Sequence, residues 1–207
     1  MAKIIKLTKD AKPAAAELTE VAQALRACKL AAFPTDTVYG VGTNGLIKAG
    51  VRRIYVVKGR DAVKALPILV KSIDEAKKWV EWTDAAERLA RRYWPGPLTL
   101  VLRPTKEGRR LMFQEYQTLA IRVPAHPVAL ALLEAADVPL ASSSANPSGA
   151  PSPKNGTAVI ETMADSLEYI IDAGDVDGVE STIVDATEMA PRVLREGKIG
   201  REAISAA

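Results

Sequence analysis

Cysteine and histidine are almost absent from this chain, which has one of each among its 207 residues. A lone Cys28 leaves no disulfide framework and no cysteine-rich metal site, so we expect a buried structural thiol on a helix. With His126 as the single histidine, zinc sites and Ser-His-Asp triads lack their ligands or their base. Because His126 follows Pro124 in a predicted loop, we interpret it as a helix-start residue rather than a general base.

Long apolar runs and a strong charge bias are also missing. No stretch approaches the roughly 20 apolar residues that a membrane span requires. Segment 1–13 interleaves lysines with its apolar residues, where a signal peptide needs a continuous apolar core. We therefore expect a cytoplasmic protein with no membrane partner. The chain has 28 Lys and Arg against 25 Asp and Glu, a mild excess that does not by itself indicate nucleic acid but is compatible with a basic cleft.

Short apolar strands alternate with helices along the chain. After Pro13, Leu18, Val21, Ala22 and Leu25 recur at helical spacing and predict an amphipathic cover helix. Segment 46–59 predicts a helix, or a helix turning into a strand. Further helices are predicted at 83–94, with a capping signal of Asp84 followed by Glu87, and at 127–136. Predicted strands are 30–33, 66–70, 98–102, 119–123, 139–144, 168–172, 181–185 and 192–196. This alternation is typical of the α/β class, and 48% hydrophobic residues favour a single domain.

The stretch AFPTDTVYGVGTNG, residues 32–45, contains the G-x-G-x-x-G spacing of a dinucleotide-binding loop at Gly40, Gly42 and Gly45. That motif needs its first glycine directly after a strand, whereas the predicted strand here ends at Pro34. Asp61 lies at the distance of the ribose-binding acid but follows two cations, Lys58 and Arg60, in KGRD. Nicotinamide or flavin binding is therefore the weaker alternative. The glycines are equally compatible with positive φ angles in a tight connection.

Three further polar stretches follow predicted strands: KGR at 58–60, SSSANPSG at 142–149, and the segment 178–197 that contains ESTIVD and LREG. Open α/β sheets gather ligands at such positions. Together with PTDTVYGVG, these motifs resemble the YrdC-like family of L-threonylcarbamoyladenylate synthases. The resemblance extends from about Pro13 to Gly197. It implies a single-domain twisted mixed sheet flanked by helices with a basic concave groove, formed by residues 1–207 with a core at about 13–197 and no second domain.

The resemblance also implies a reaction. L-threonine, bicarbonate or CO2, and ATP as a substrate would give threonylcarbamoyl-AMP and pyrophosphate, the first step of threonylcarbamoyladenosine formation in tRNA. Mg2+ is expected with the pyrophosphate leaving group, although no carboxylate cluster dedicated to a metal stands out and Asp36 is at best a candidate. The partners implied are a downstream tRNA threonylcarbamoyl transferase complex and a contact with tRNA or other RNA.

All of these substrates are anionic or carry a carboxylate, so the site needs fixed cations and hydrogen-bond donors. Lys58 and Arg60, two apart on a predicted extended segment, would point the same way and bind phosphate and carbonate oxygens; they are the predicted catalytic residues. Ser142, Ser144 and Asn146 alternate along a strand end and would share one side. No residue stands out as the base for the threonine amine, so positioning and charge neutralisation are expected to dominate.

Arg122 is an unusual charge at the end of an apolar strand, and its burial would demand an anionic partner. The family's counterpart binds the threonine carboxylate. Carried over in the same way, the predicted threonine contacts are Thr35, Tyr39, Arg122, Ser142 and Ser181. The predicted ATP contacts are Lys58, Arg60, Thr118, Ser144, Asn146, Ser152 and Arg195.

One departure and one alternative complete the prediction. Asp61 stands where family members usually carry a proline after the K-x-R motif. The alternative function is a non-catalytic RNA- or nucleotide-binding module on the same scaffold, whose basic concavity would bind phosphate backbones. The synthase predicts pyrophosphate release that requires threonine. The module predicts binding that weakens steeply with salt and ignores threonine.

Overall fold

A computed structural model describes residues 1–8 and 15–207. They form an α/β fold of one mixed ten-stranded sheet flanked by helices. In chain order the strands β1 to β10 are Lys3–Lys6, Ala31–Pro34, Tyr39–Asn44, Ile68–Leu69, Leu98–Leu102, Leu119–Arg122, Leu140–Ser144, Tyr169–Asp172, Thr182–Asp185 and Arg192–Arg195. Across the sheet their order is β1-β8-β2-β3-β7-β4-β6-β5-β9-β10. The predicted α/β class and mixed sheet are confirmed.

Seven α-helices connect these strands. In chain order α1 to α7 are Ala15–Arg26, Lys48–Lys58, Ile73–Trp79, Asp84–Tyr93, Pro127–Ala136, Gly156–Met163 and Arg201–Ser205. Short 3-10 turns follow at Gly108–Leu111 and Ala164–Ser166. The predicted helix start and core boundary at Pro13 lie outside the described residues. No helix in the described part of the chain combines the length and apolarity needed to cross a bilayer.

The two faces of the sheet are covered unequally because successive strand residues point in opposite directions. Ile170 and Ile171 of β8 show this, since each belongs to a different core cluster. The smaller cluster lies under α1 and α5, with Leu25 and Leu132 among its members. The larger cluster packs α2, α3, α4, α6 and α7 against the opposite face. Beyond α1 and α5, the smaller cluster's face is left open over the middle of the sheet.

The first two glycines of the glycine motif lie in a strand, so the interpretation of the motif as a tight connection was wrong. Gly40 and Gly42 lie within β3, paired between β2 and β7, and have no positive φ. They are needed for close packing. A Cβ on Gly42 would lie 3.0 Å from the ring of Phe33, and one on Gly40 would lie 3.1 Å from Ser142 Oγ. A sheet interior of this kind leaves no phosphate-binding helix start at these glycines.

The predictions for α2, for the cap of α4 and for Cys28 had different outcomes. Segment 46–59 forms the helix α2 as expected, with Gly59 closing it in the left-handed conformation. Helix α4 is capped by the side chain of Thr83, which accepts from Ala86 N, whereas Asp84 is its first helical residue. Cys28 lies beyond the end of α1 at φ 63°, half-buried rather than on the helix, so its predicted position was wrong.

Candidate active site

A cavity of about 200 Å3 occupies the open part of the sheet face beside α1 and α5. Seven of the residues predicted from the sequence line it: Thr35, Arg60, Arg122, Ser142, Ser144, Ser181 and Arg195. They come from segments that span the chain from residue 35 to residue 195, and the sheet brings them together. Three are arginines, so the cavity has the basic character expected of the groove.

The turn between β2 and β3 builds one wall. Thr35 Oγ1 donates to the carbonyl oxygen of Val38 at 2.7 Å and accepts from the backbone N–H of Thr37, which fixes the PTDTV turn. Its hydroxyl also lies 2.9 Å from that of Thr37. This arrangement presents Asp36 and Thr37 to the end of β6, where Arg122 lies.

Arg122 is buried and surrounded by acceptors. Its Nη2 donates to Asp36 Oδ1 at 2.7 Å, Nη1 to Thr37 Oγ1 at 3.0 Å, and Nε to the carbonyl oxygen of Gly96 at 2.9 Å. The anionic partner that burial demands is therefore Asp36, within the protein itself. Two guanidinium hydrogens have no bond in this set, and Asp36 Oδ2 is buried without a partner among the described residues. Arg122 is thus oriented while it retains donors for a ligand.

The strand β7 supplies hydroxyl groups. Leu140, Ser142 and Ser144 point to one face because they alternate along the strand. Leu140 belongs to the core under α5, whereas Ser142 and Ser144 reach the cavity. Asn146 follows the strand and turns away. Its side-chain amide donates to the carbonyl oxygens of Ala150 at 2.6 Å and Pro147 at 3.0 Å, so the prediction that it shares the side of the serines was wrong.

The opposite wall is formed by β9 and β10. A register shift between Val193 and Arg195 in their pairing is a β-bulge of the type that re-aims side chains, and Arg195 lines the cavity. Arg195 Nη2 donates to the carbonyl oxygen of Ser181 at 2.9 Å, and Nη1 forms an ion pair with Glu180. Ser181 Oγ lies 2.9 Å from Thr99 Oγ1.

Lys58 does not line the cavity. It is the last residue of α2, so the prediction of an extended segment was wrong, and it does not point the same way as Arg60. Its Nζ lies 2.5 Å from the carbonyl oxygens of both Ser144 and Asn146. Burial and, to a smaller extent, the nearby Arg60 lower the pKa of Lys58 to about 8, although Glu180 opposes both effects. Lys58 therefore holds the SSSANPSG segment in place through its main-chain oxygens.

The remaining predicted residues lie around the cavity rather than on its surface. Thr118 lines a neighbouring apolar cavity that shares Ala65 and Ala120 with the first. Tyr39 is fully buried, and its hydroxyl donates to the carbonyl oxygen of Gly174, so it forms no wall of the cavity; burial raises its pKa to about 12. Ser152 donates to Glu180 Oε1 at 2.8 Å.

Arg60 is the cation of the KGR motif that reaches the cavity. Its guanidinium makes two long bonds, at 3.3 and 3.4 Å, to the carbonyl oxygens of Lys64 and Ala65. In the same loop, Asp61 Oδ1 accepts from the backbone N–H of Val63 at 2.9 Å. This side-chain turn fixes the backbone at the position where the family usually has proline.

Comparisons with known proteins agree with this geometry. Residues 23–197 match the Sua5/YciO/YrdC family model, whose description is "Telomere recombination". The chain belongs to the Sua5/YciO/YrdC family.

Two curated relatives of this Sua5/YciO/YrdC chain are threonylcarbamoyl-AMP synthases. That of Pyrococcus abyssi is 44% identical over 87% of this chain and 54% of its own length. That of Bacillus subtilis is 37% identical over 92% and 56%. The crystal structure of P. abyssi Sua5 complexed with L-threonine has a TM-score of 0.93 and 40% identity, covering 99% of this chain and 60% of that one. The chain thus spans little more than half the length of these relatives.

Sequence reasoning missed four polar residues that line the cavity of this Sua5/YciO/YrdC domain, namely Thr37, Thr99, Ser143 and Glu180. Thr37 sits two residues after Thr35 in the same turn, so the PTDT spacing was the available signal. Glu180 directly precedes Ser181 in the EST motif, but a carboxylate beside predicted phosphate-binding residues was not expected. Thr99 alternates with core leucines in LTLVL and had no signal, because its place in the cavity lining depends on the helices leaving that face open.

Proposed function

We propose that this protein synthesises L-threonylcarbamoyl-AMP from L-threonine, bicarbonate or CO2, and ATP, with release of pyrophosphate. The observation that carries the proposal is the cavity in which three arginines and a set of Ser and Thr hydroxyls converge on an open sheet face. Two threonylcarbamoyl-AMP synthases that are 44% and 37% identical to this chain support it. The product would be the first intermediate of threonylcarbamoyladenosine in tRNA.

The cavity residues suit a three-reactant condensation. The threonine amine attacks the carbon of CO2 or bicarbonate to give a carbamate, and this step releases a proton with CO2 or water with bicarbonate. A carbamate oxygen then attacks the α-phosphate of ATP and displaces pyrophosphate. Both steps gather negative charge, which fixed guanidinium groups stabilise at little reorganisation cost. Arg122, oriented by Asp36 and Thr37, is suited to the threonine carboxylate. Holding the three reactants together supplies the rest of the rate enhancement.

The threonine-binding half in this proposal consists of Thr35, Arg122, Ser142 and Ser181, with Tyr39 fixing the strand behind them. The nucleotide half consists of Arg60, Ser144, Ser152 and Arg195, with Thr118 at the adjoining cavity. Lys58 and Asn146 act through the loop that they hold. Arg60 takes the catalytic role that the sequence shared between the two KGR cations, since it is the one that reaches the cavity.

Mg2+ would neutralise the triphosphate when the nucleotide binds. Within residues 1–8 and 15–207, no three His, Cys, Asp or Glu side chains form a group that holds a metal, and Asp36 Oδ1 is committed to Arg122. The protein's own carboxylates therefore do not fit a dedicated metal cage, and we assign no step to the ion. We propose a cytoplasmic location and delivery of the adenylate to a tRNA threonylcarbamoyl transferase complex, with contact to tRNA at that stage.

Pyrophosphate release tests the proposal. We would supply ATP and bicarbonate and compare L-threonine, L-serine and no amino acid. Wild-type protein should release pyrophosphate only when L-threonine is present, and Arg60→Ala should abolish most of the release. Arg52→Ala, on the exposed side of α2, is the matched control and should retain it. Release that ignores threonine would contradict the synthase proposal. Flat traces with salt-sensitive RNA binding would instead favour a non-catalytic RNA- or nucleotide-binding module.

A further inference from the structure

Glu180 is the one carboxylate among the residues lining the described cavity, and it lies between two predicted nucleotide contacts. Its Oε1 accepts from Ser152 Oγ at 2.8 Å, and its Oε2 pairs with Arg195 Nη1. Ser152 belongs to the Pro- and Ser-rich loop after β7, whereas Arg195 ends β10. A single side chain therefore bridges the loop and the opposite wall.

Arg195 has few donors to spare in this arrangement. Its Nε and Nη2 both bond to the carbonyl oxygen of Ser181, at 3.3 and 2.9 Å, and Nη2 also reaches Ser181 Oγ at 3.3 Å. The Nη1 edge remains, and Glu180 occupies it. Nη1 carries two hydrogens and Glu180 takes one of them, so an anionic ligand that binds Nη1 through both hydrogens must replace the carboxylate.

The backbone of Glu180 is fixed while its side chain is exchangeable. Its carbonyl oxygen accepts from Lys198 N at 2.9 Å, and it lies so close to Gly197 that a Cβ there would be 2.2 Å away. The side chains of Arg195 and Glu180 are 43% and 40% exposed, and ion pairs at such exposure contribute little stability. The carboxylate can thus leave Arg195 and Ser152 without displacing the strand.

We propose that Glu180 is an internal counter-ion that holds the place of a nucleotide phosphate and is displaced when a polyphosphate binds. This inference rests on the proposed nucleotide-binding function of the cavity. Arg195 and Ser152 exchange one carboxylate for phosphate oxygens, so a ligand is accepted only if its charge outweighs the carboxylate that it replaces. Glu180 is then a specificity determinant that favours ATP and pyrophosphate over weakly charged anions.

Binding measurements without threonine test this inference. Calorimetric titration of inorganic pyrophosphate and of a non-hydrolysable ATP analogue would compare wild type, Glu180→Gln and Glu196→Gln. Glutamine keeps the shape of Glu180 and removes its charge, and it retains one of the two acceptor oxygens. Glu180→Gln should bind both ligands about threefold to tenfold more tightly at low salt, and the gain should shrink at high salt because the removed repulsion is screened. Glu196→Gln makes the same change of net charge one residue from Arg195, but Glu196 pairs with Arg201, so its affinity should match wild type.

The titrations distinguish failure of the counter-ion role from failure of the proposed nucleotide binding. Equal or weaker binding by Glu180→Gln, with an unchanged melting temperature, overturns the counter-ion role and leaves the synthase proposal intact. An equal gain in Glu196→Gln assigns the effect to net charge and also overturns it. If neither ligand binds any of the proteins, the nucleotide-binding function fails and the counter-ion role fails with it. Should Glu180→Gln fold poorly, Glu180→Ala must give the same tighter binding.

Discussion

The ammonium nitrogen of Lys58 lies 2.5 Å from the main-chain oxygen of Asn146. The backbone strengthens this link, because Ser148 N donates to the carbonyl oxygen of Lys58 at 2.7 Å. The end of α2 is thereby joined to the loop that follows β7. Lys58, a cation that the KGR motif predicted for phosphate binding, is thus bonded to the loop beside the residues proposed to bind phosphate.

Replacing Lys58 should therefore affect both stability and activity. Lys58→Ala removes the lysine hydrogen bonds to the carbonyl oxygens of Ser144 and Asn146, which should cost about 1–3 kcal/mol in the free energy of unfolding. Pyrophosphate release should fall at least about tenfold, since a loop misplaced by about 1 Å costs catalysis heavily. Urea unfolding and the pyrophosphate assay measure the two effects. Lys48→Ala, at the exposed start of α2, should change neither, and an active, fully stable Lys58→Ala would contradict the anchoring role.

The lowered pKa of Lys58 predicts a pH dependence. Burial lowers it from 10.5 to about 8, so between these values the unfolded chain binds more protons than the folded one. The contribution of Lys58 to the free energy of unfolding should thus rise as the pH increases from about 8 towards 10.5. Over the same range the folded protein loses the charged form of Lys58, which donates three hydrogen bonds. Urea unfolding of wild type and Lys58→Met at pH 7 and pH 9.5 measures the difference. The lowered pKa would be contradicted if the free energy of unfolding of wild type, relative to that of Lys58→Met, were the same or lower at pH 9.5 than at pH 7.

The buried Arg122–Asp36 pair predicts a non-additive double mutant. Removing either partner leaves a buried charge without its counter-ion, so Asp36→Asn and Arg122→Met should each cost about 3 kcal/mol or more in unfolding free energy. The double variant should cost much less than the sum, because both charges are gone. Chemical denaturation of the four proteins gives the coupling. Arg103→Met and Glu188→Gln, which remove an exposed pair, should show coupling near zero, and a similarly small value for the buried pair would contradict its importance.

Gly197 should be intolerant of any side chain. A Cβ at this position would lie 2.2 Å from the carbonyl oxygen of Glu180 and 2.6 Å from the carbonyl carbon of Ser181, so Gly197→Ala must shift the backbone that leads into β9. We expect a loss of about 1–3 kcal/mol in stability and reduced nucleotide affinity. Gly200→Ala is the matched control, since its nearest contact is 3.7 Å away. Thermal melts and pyrophosphate titration compare the two, and equal behaviour would show that the β9–β10 connection is more plastic than its contacts imply.

The sequence was a sound guide wherever the determining interactions are local. Alternating or continuous apolar runs such as Leu98–Leu102 became strands, and residues 127–136 became a helix that starts at His126, whose Nδ1 accepts from Val128 N as expected of a helix-start residue. Strand periodicity also placed Ser142 and Ser144 on one side. These features depend on contacts within a few residues, which a linear pattern records. The synthase motifs then grouped distant segments correctly by resemblance.

Only the tertiary structure decided which polar groups face the cavity and which face one another. Lys58 and Arg60 have the same charge in one motif, yet a helix end at Gly59 separates them, so one is buried against carbonyl oxygens and the other reaches the cavity. Asp36 and Glu180 satisfy arginines that are 86 and 15 residues away along the chain. Burial makes such pairings obligatory, because an unpaired charge away from water is costly, but which acid meets which base is set by sheet order and by the face that the helices leave open. The sequence by itself thus determined the fold class, the family and the chemical kinds of residue at the site, while the sheet's long-range contacts determined their partners and directions.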